Sequence, residues 1–391
     1  MKFLKFIFLF LVYSNFCFGQ NLDSLYVSKI NDTIASKILS EKRAFEIQLP
    51  RSFDKDDKIK YPLMIIMDGD HLFNMVSGTV DYLSYWGDIP ENLVVGIKQI
   101  DSRFKDSSVF DNVNNTPITS TANFYDFIVQ ELIPYLSKNY RASDFIIVLG
   151  QERTANFINF FLLKNDPLIR GYISISPKFS KNMKEYLIQN LSQTNANILY
   201  TVSSSKQDFE TIYEDVLNFS NSLDSVKNKS LKFKSFIYEE ENHYTLPTLS
   251  VPRSIRETYS LYKDIDKIEY DLIISKLESS PVDYLREKYK NIKSYYGIEK
   301  KVSMNDFMAI EEYIESKEQF NYYDELSKYA NEFYSGTILP SYYKGRFYEE
   351  TGEPERAMKI YRSAYNMNEV QGLTKDYLLE LADRIQDDFN F

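Results

Sequence analysis

Between residue 41 and about residue 260 the chain alternates strand-like and helix-like stretches, and beyond about Lys263 the strand signals stop. That change limits the possible folds more than any other feature. Ala44 to Leu49 alternates polar with apolar residues, Tyr61 to Met67 is an apolar run closed by Asp68-Gly69, and Leu93 to Ile97 is a second such run. The same reasoning predicts helices over Phe124 to Tyr135, Ala155 to Leu163 and Val216 to Leu223. Strands are predicted over Phe145 to Leu149, Gly171 to Ile175, Ile198 to Val202 and Phe233 to Tyr238. Such a βαβα order implies an α/β fold, a doubly wound and mostly parallel sheet covered on both faces. From Lys263 onward amphipathic helical patterns rich in Tyr, Glu and Lys run to the end. The expected organisation is a sheet domain over residues 20–262 and an all-α, helical-repeat-like domain over residues 263–391.

The first nineteen residues read as an address. Lys2 and Lys5 precede an apolar run from Phe6 to Tyr13, Gly19 is small, and Gln20-Asn21 opens a polar stretch, the pattern of a secretory signal peptide. The run is shorter than the roughly 20 apolar residues that span a bilayer. Export to the periplasm or cell surface of a bacterium is therefore expected, with no transmembrane span and a mature chain beginning at Gln20. Lipidation at Cys17 is disfavoured by bulky Phe16, where lipoprotein signals carry a small residue.

Composition removes several function classes. Two His and one Cys cannot furnish the usual Cys/His zinc site, a haem-attachment motif or a disulfide framework, so no metal and no cofactor are assigned. A net charge of −10 without a basic block argues against nucleic acid as a partner.

In doubly wound hydrolases the nucleophile sits on a tight strand-to-helix turn, G-x-S-x-G. The turn in the corresponding place is Gly150-Gln151-Glu152-Arg153-Thr154-Ala155. Further pieces are Lys60-Tyr61-Pro62 before Met67-Asp68-Gly69, Ile89-Pro90-Glu91 before Val94-Val95-Gly96-Ile97, Ile173-Ser174-Ile175-Ser176-Pro177, and Glu241-Asn242-His243. Taken in order, over roughly residues 35 to 260, they resemble the ferric-enterochelin esterase and esterase D superfamily of α/β-hydrolases. The resemblance implies a nucleophile position at Glu152, a histidine at His243 and an acidic partner at Asp208 or Glu210.

The departures from that family concern the chemistry itself. Serine passes its proton to histidine and forms a labile acyl ester, and glutamate does neither. Gln151 stands where the family usually has His, and Thr154 and Ala155 take glycine positions, so the turn is expected to be disfavoured. The reading is a catalytically degenerate esterase-like protein that binds or scaffolds in the envelope, its partner a small ligand or an envelope protein. The alternative is an active hydrolase using His243 with Glu152, which would attack carbon directly, or with another nucleophile. Glu152 is expected at a helix start, within reach of His243, either plugging the former oxyanion hole or reacting. His71 reads as a surface histidine in a loop, and Ser174 and Ser176 receive no chemistry.

In the tail, Gly345, Tyr348, Gly352, Ala357, Tyr361 and Ala364 fit the small/large register of a tetratricopeptide helix pair over Tyr343 to Asn368. A weaker repeat would span Phe307 to Pro340. One repeat cannot bury its own face, so these helices must stack on neighbours or on the sheet domain. A packing module and a partner-binding groove are both open readings.

Overall fold

The computed structural model describes residues 29–54, 58–108, 118–164 and 166–389. The leader reading and Cys17 lie outside them. The strands are β1 (Lys29–Ser36), β2 (Glu41–Gln48), β3 (Tyr61–Ile66), β4 (Leu93–Ile97), β5 (Ala142–Gln151), β6 (Gly171–Ile175), β7 (Ile198–Gln207) and β8 (Leu231–Asn242). They form one 8-stranded sheet in the order β1-β2-β4-β3-β5-β6-β7-β8. β2 pairs antiparallel with both β1 and β4, and from β4 to β8 every pairing is parallel.

The helices of the sheet region are α1 (Gly69–Tyr85), α2 (Arg103–Ser107), α3 (Thr119–Phe127), α4 (Ile133–Tyr140), α5 (Arg153–Ile158), α6 (Met183–Gln193), α7 (Glu210–Asp224) and α8 (Leu246–Thr258). A π-turn at Ile128–Leu132 joins α3 to α4, and a 3₁₀ turn at Asn159–Leu163 extends α5. The helical tail comprises α9 (Lys267–Leu272), α10 (Pro281–Tyr296), α11 (Met304–Lys317), α12 (Tyr322–Tyr334), α13 (Ile338–Glu350), α14 (Pro354–Ser363) and α15 (Lys375–Phe389). Among the described residues no helix is long and apolar enough to cross a membrane.

Strand alternation divides the apolar residues between two cores. Leu63 and Ile65 on β3, with Met67 just after it, face a core shared with α3, α4, α5, α6 and α7. Met64 and Ile66 face the other side, against α1 and α8, and there the core continues without a break into the tail through Val282, Leu285, Ile292 and Tyr296. The contact is aromatic where sheet meets tail: the Phe145 ring on β5 lies 5.1 Å from that of Tyr296 and 6.0 Å from that of Tyr259, which packs 5.3 Å from Tyr296. Each such pair adds about 0.5–1.5 kcal/mol beyond area burial. The phenols are satisfied, Tyr259 by Asn92 Oδ1 at 2.5 Å and Tyr296 by the Thr258 carbonyl at 3.0 Å.

Candidate active site

Ligands of open α/β sheets bind beyond the carboxyl ends of the strands. Here the ends of β3, β5, β6, β7 and β8 deliver Asp68, Glu152, Ser176, Asp208 and His243 to one edge. The turn after β5 is closely packed. A Cβ on Gly150 would come 2.7 Å from the Thr154 backbone carbon and 2.8 Å from Ala155 N, so only glycine lets α5 start this close to the strand.

Glu152 adopts φ 55°, ψ −108°, a conformation that costs a non-glycine residue on the order of 1–3 kcal/mol. The sharp turn expected to be disfavoured is present, and Thr154 supports it. The buried Thr154 hydroxyl accepts from Gln151 N–H at 3.0 Å and has two acceptors for its single proton, Asp68 Oδ2 at 2.8 Å and the Gln151 carbonyl at 2.9 Å. Gln151, in the family's histidine position, is buried and donates from Nε2 to the His243 carbonyl at 2.8 Å, tying the β5 turn to the segment after β8.

The Glu152 carboxylate turns to Arg103 of α2, with Nη1 3.2 Å from Oε2, while His243 is bound elsewhere. Arg103 also donates from Nε to Asp68 Oδ1 at 2.7 Å and from Nη2 to the Gln151 carbonyl at 3.1 Å. Burial works against the Arg103 charge, but Asp68 and Glu152 outweigh it and raise its pKa above the ordinary arginine value. Asp68 is itself left-handed, φ 56°, and its N–H donates to Gln99 Oε1 at 2.9 Å. Gln99 donates in turn to Asp106, which is paired with buried Arg43 at 2.5 Å.

His243 and Asp208 come together as the resemblance implies. Nδ1 of the histidine lies 2.8 Å from Asp208 Oδ1, and both side chains are buried. The same carboxylate accepts from Phe209 N–H at 2.8 Å, Ser176 Oγ at 2.5 Å and Ser204 Oγ at 3.0 Å. Burial alone would raise its pKa. The donors, His243 and Ser176 foremost, reverse that and hold Asp208 below the ordinary carboxylate value. An ionised Asp208 accepts a hydrogen bond from Nδ1–H, the tautomer that leaves the Nε2 lone pair as the base position. Glu210, the other candidate, is exposed at the start of α7. His71 is exposed, in the first turn of α1 rather than in a loop. Ser176, assigned nothing, is buried at φ 46° and supports Asp208. Around the site stand exposed aromatics: Phe209 with its ring 4.8 Å from that of His243, Tyr244 at 5.3 Å, and Phe104 under the Arg153 guanidinium.

A strained strand-to-helix turn, tied by Gln151 to the backbone of the histidine in a buried histidine–aspartate pair, lies on this mostly parallel sheet. The fold is similar to that of esterase-like α/β-hydrolases. The family model described as "Putative esterase" matches residues 36–153, from the end of β1 through the turn bearing Glu152. Among solved structures, a protein of Capnocytophaga ochracea is 24% identical with TM-score 0.81, over 92% of this chain and 99% of that one. Its fold thus spans both the sheet and the tail. An IroE-like serine hydrolase of Shewanella oneidensis is 18% identical with TM-score 0.58, covering 78% of this chain and 99% of the other. The BES protein of Bacillus cereus is 20% identical, TM-score 0.52, over 60% of this chain and 96% of its own. No curated protein matches.

Arg103, Asp68 and Thr154 were not assigned a role from sequence. Nothing near Arg103 in the chain signals its partner, since α2 and the β5 turn are brought together only by the sheet.

Proposed function

We propose that the chain is an exported, catalytically degenerate esterase-like protein, which binds or scaffolds in the bacterial envelope and does not turn over acyl esters. The observation that carries this reading is the carboxylate at the nucleophile turn, ion-paired with Arg103. Acyl transfer needs a hydroxyl or thiol that can surrender its proton to His243, and a carboxylate held in an ion pair has none to give. Export rests on the leader pattern of the first nineteen residues. The test is hydrolysis of activated acyl esters by the purified protein and by His243→Ala. Equal rates are expected, and a rate a hundredfold above that of the variant overturns the proposal.

The intact His243–Asp208 hydrogen bond favours a second reading, a hydrolase whose Glu152 attacks saturated carbon. The carboxylate would form a C–O bond to the carbon as the ring C–O bond of an epoxide breaks, the freed oxygen taking a proton from solvent water, or as the halide of an alkyl halide leaves as an anion. The resulting glutamyl ester would then be cleaved by water deprotonated at His243 Nε2. That chemistry predicts that His243→Ala, incubated with an epoxide, accumulates the alkyl ester on Glu152, read as added mass on its peptide.

A further inference from the structure

A groove of about 650 Å³ opens in the helical tail, on elements the nucleophile turn does not use. One wall is α11, where Met304, Met308, Glu311 and Glu312 recur at positions that share a helix face. Leu339 and Tyr342 of α13, Tyr377 of α15 and Tyr270 of α9 complete the apolar lining. Two of those side chains stand in solvent, Met308 at 57% exposure and Tyr377 at 43%, while Leu339 and Tyr342 are buried. Exposed methionine and aromatic side chains lining a groove are a surface suited to receiving another chain.

The charge of the groove is mainly negative. Asp266, Glu311 and Glu312 line it with Lys267; Asp266 is paired with Lys263 at 2.6 Å and Lys267 with Asp271 at 3.0 Å, which leaves Glu311 and Glu312 as the acids facing the groove. Glu311 lies deepest of the three, and its two oxygens take the Tyr342 hydroxyl at 2.5 Å and the Tyr343 hydroxyl at 3.4 Å. Those phenols fix the carboxylate with no cation of the chain bonded to it among the described residues. Burial raises the Glu311 pKa despite the phenols and the nearby Arg346 charge.

We infer that this groove binds a basic, partly apolar peptide segment of a partner protein, with a lysine or arginine of that segment facing Glu311 and Glu312 and its apolar side chains on Met308 and Tyr377. A free polyamine would satisfy the carboxylates and leave the apolar lining bare, so the peptide is the better complement. The inference does not depend on whether the nucleophile turn is active.

The experiment uses the full chain and a fluorescein-labelled eight-residue peptide of alternating lysine with leucine and phenylalanine, followed by fluorescence anisotropy. Saturable binding is expected, weakened at least about tenfold by Glu312→Lys or Met308→Arg, both at exposed positions. Glu214→Lys, which makes the same change of charge on α7, should leave affinity unchanged. Circular dichroism melts of the three variants must match that of the parent, so that a loss is assigned to the groove. Absence of saturable binding overturns the inference. So does equal binding of a peptide with glutamate in place of lysine, an equal loss with Glu214→Lys, or displacement by equimolar spermidine.

Discussion

Glu152 holds a backbone conformation that its side chain type disfavours, and the surrounding contacts show how it is held. Its N–H donates to the Ile175 carbonyl at 2.9 Å, and its own carbonyl accepts from Lys178 N–H at 3.1 Å and Asn156 N–H at 3.1 Å. The turn is thus fixed by β6 and α5 and not by the side chain at position 152. Exchange of that side chain should leave the geometry in place, contrary to the expectation drawn from Thr154 and Gln151 in the sequence. Glu152→Ser is therefore predicted to react with a fluorophosphonate, with labelling about 10²–10⁴ faster than in Glu152→Ser/His243→Ala, the usual contribution of a positioned base. Loss of the partly exposed Arg103 pair should cost no more than about 1 kcal/mol of stability. Wild type should remain unlabelled. Equal labelling of the single and double variants, read by in-gel fluorescence, would show that His243 Nε2 does not face the turn.

At the scale of elements, legibility followed burial. Leu93–Ile97 and Gly171–Ile175 are buried along their whole length, and continuous apolar runs reveal such strands directly. β1, with sequence KINDTIAS, is an edge strand exposed on alternate residues and left no such run. α8 was hidden by Pro247 in its first turn and Pro252 in its interior, both of which read as breakers. α1 carried a usable signal, Leu72, Phe73, Val76, Val80 and Leu83 on one face, that the reading left unused. Of the site, Glu152, His243 and the alternatives Asp208 and Glu210 came from the family resemblance, and the structure brings Asp208, not Glu210, to His243. Arg103 was not legible, because an ion pair between distant loops has no local pattern. In the tail, α13 and α14 approach closely at one glycine: a Cβ on Gly345 would fall 2.1 Å from the Tyr361 ring. Tyr361 is fully buried and its hydroxyl donates to Glu349 at 2.9 Å, so the ring cannot withdraw without loss. Gly345→Ala should therefore destabilise by about 1–3 kcal/mol, the cost of overpacking, even though alanine favours a helix. A melting temperature at or above that of the parent would mean that α14 moves away freely.

One of the two apolar cores crosses from sheet to tail and holds them together. Strand β5 contributes Phe145 to it, α8 contributes Val251 and Ile255, and Tyr259 follows α8, all buried; α10 answers with Val282, Leu285 and Ile292. A chain ended near Lys263 keeps every strand and the His243–Asp208 pair. It also uncovers this face of the sheet layer, where large contiguous apolar patches drive association. The tail cannot be read as a passenger, since Tyr296 both fills the space beside Phe145 and caps the Thr258 carbonyl at the end of α8. Removal of α10 frees that carbonyl and the aromatic contact together, at the junction where α8 must stay seated behind β8. The truncated chain is accordingly expected to bind a hydrophobic dye, to elute as multimers in size-exclusion chromatography and to melt several degrees below the parent, since about 1 kcal/mol already moves a melting point by 2–4 °C in domains of 150–250 residues. A soluble monomer with an unchanged melting curve would show instead that the sheet domain folds independently and that the shared core adds nothing to its stability.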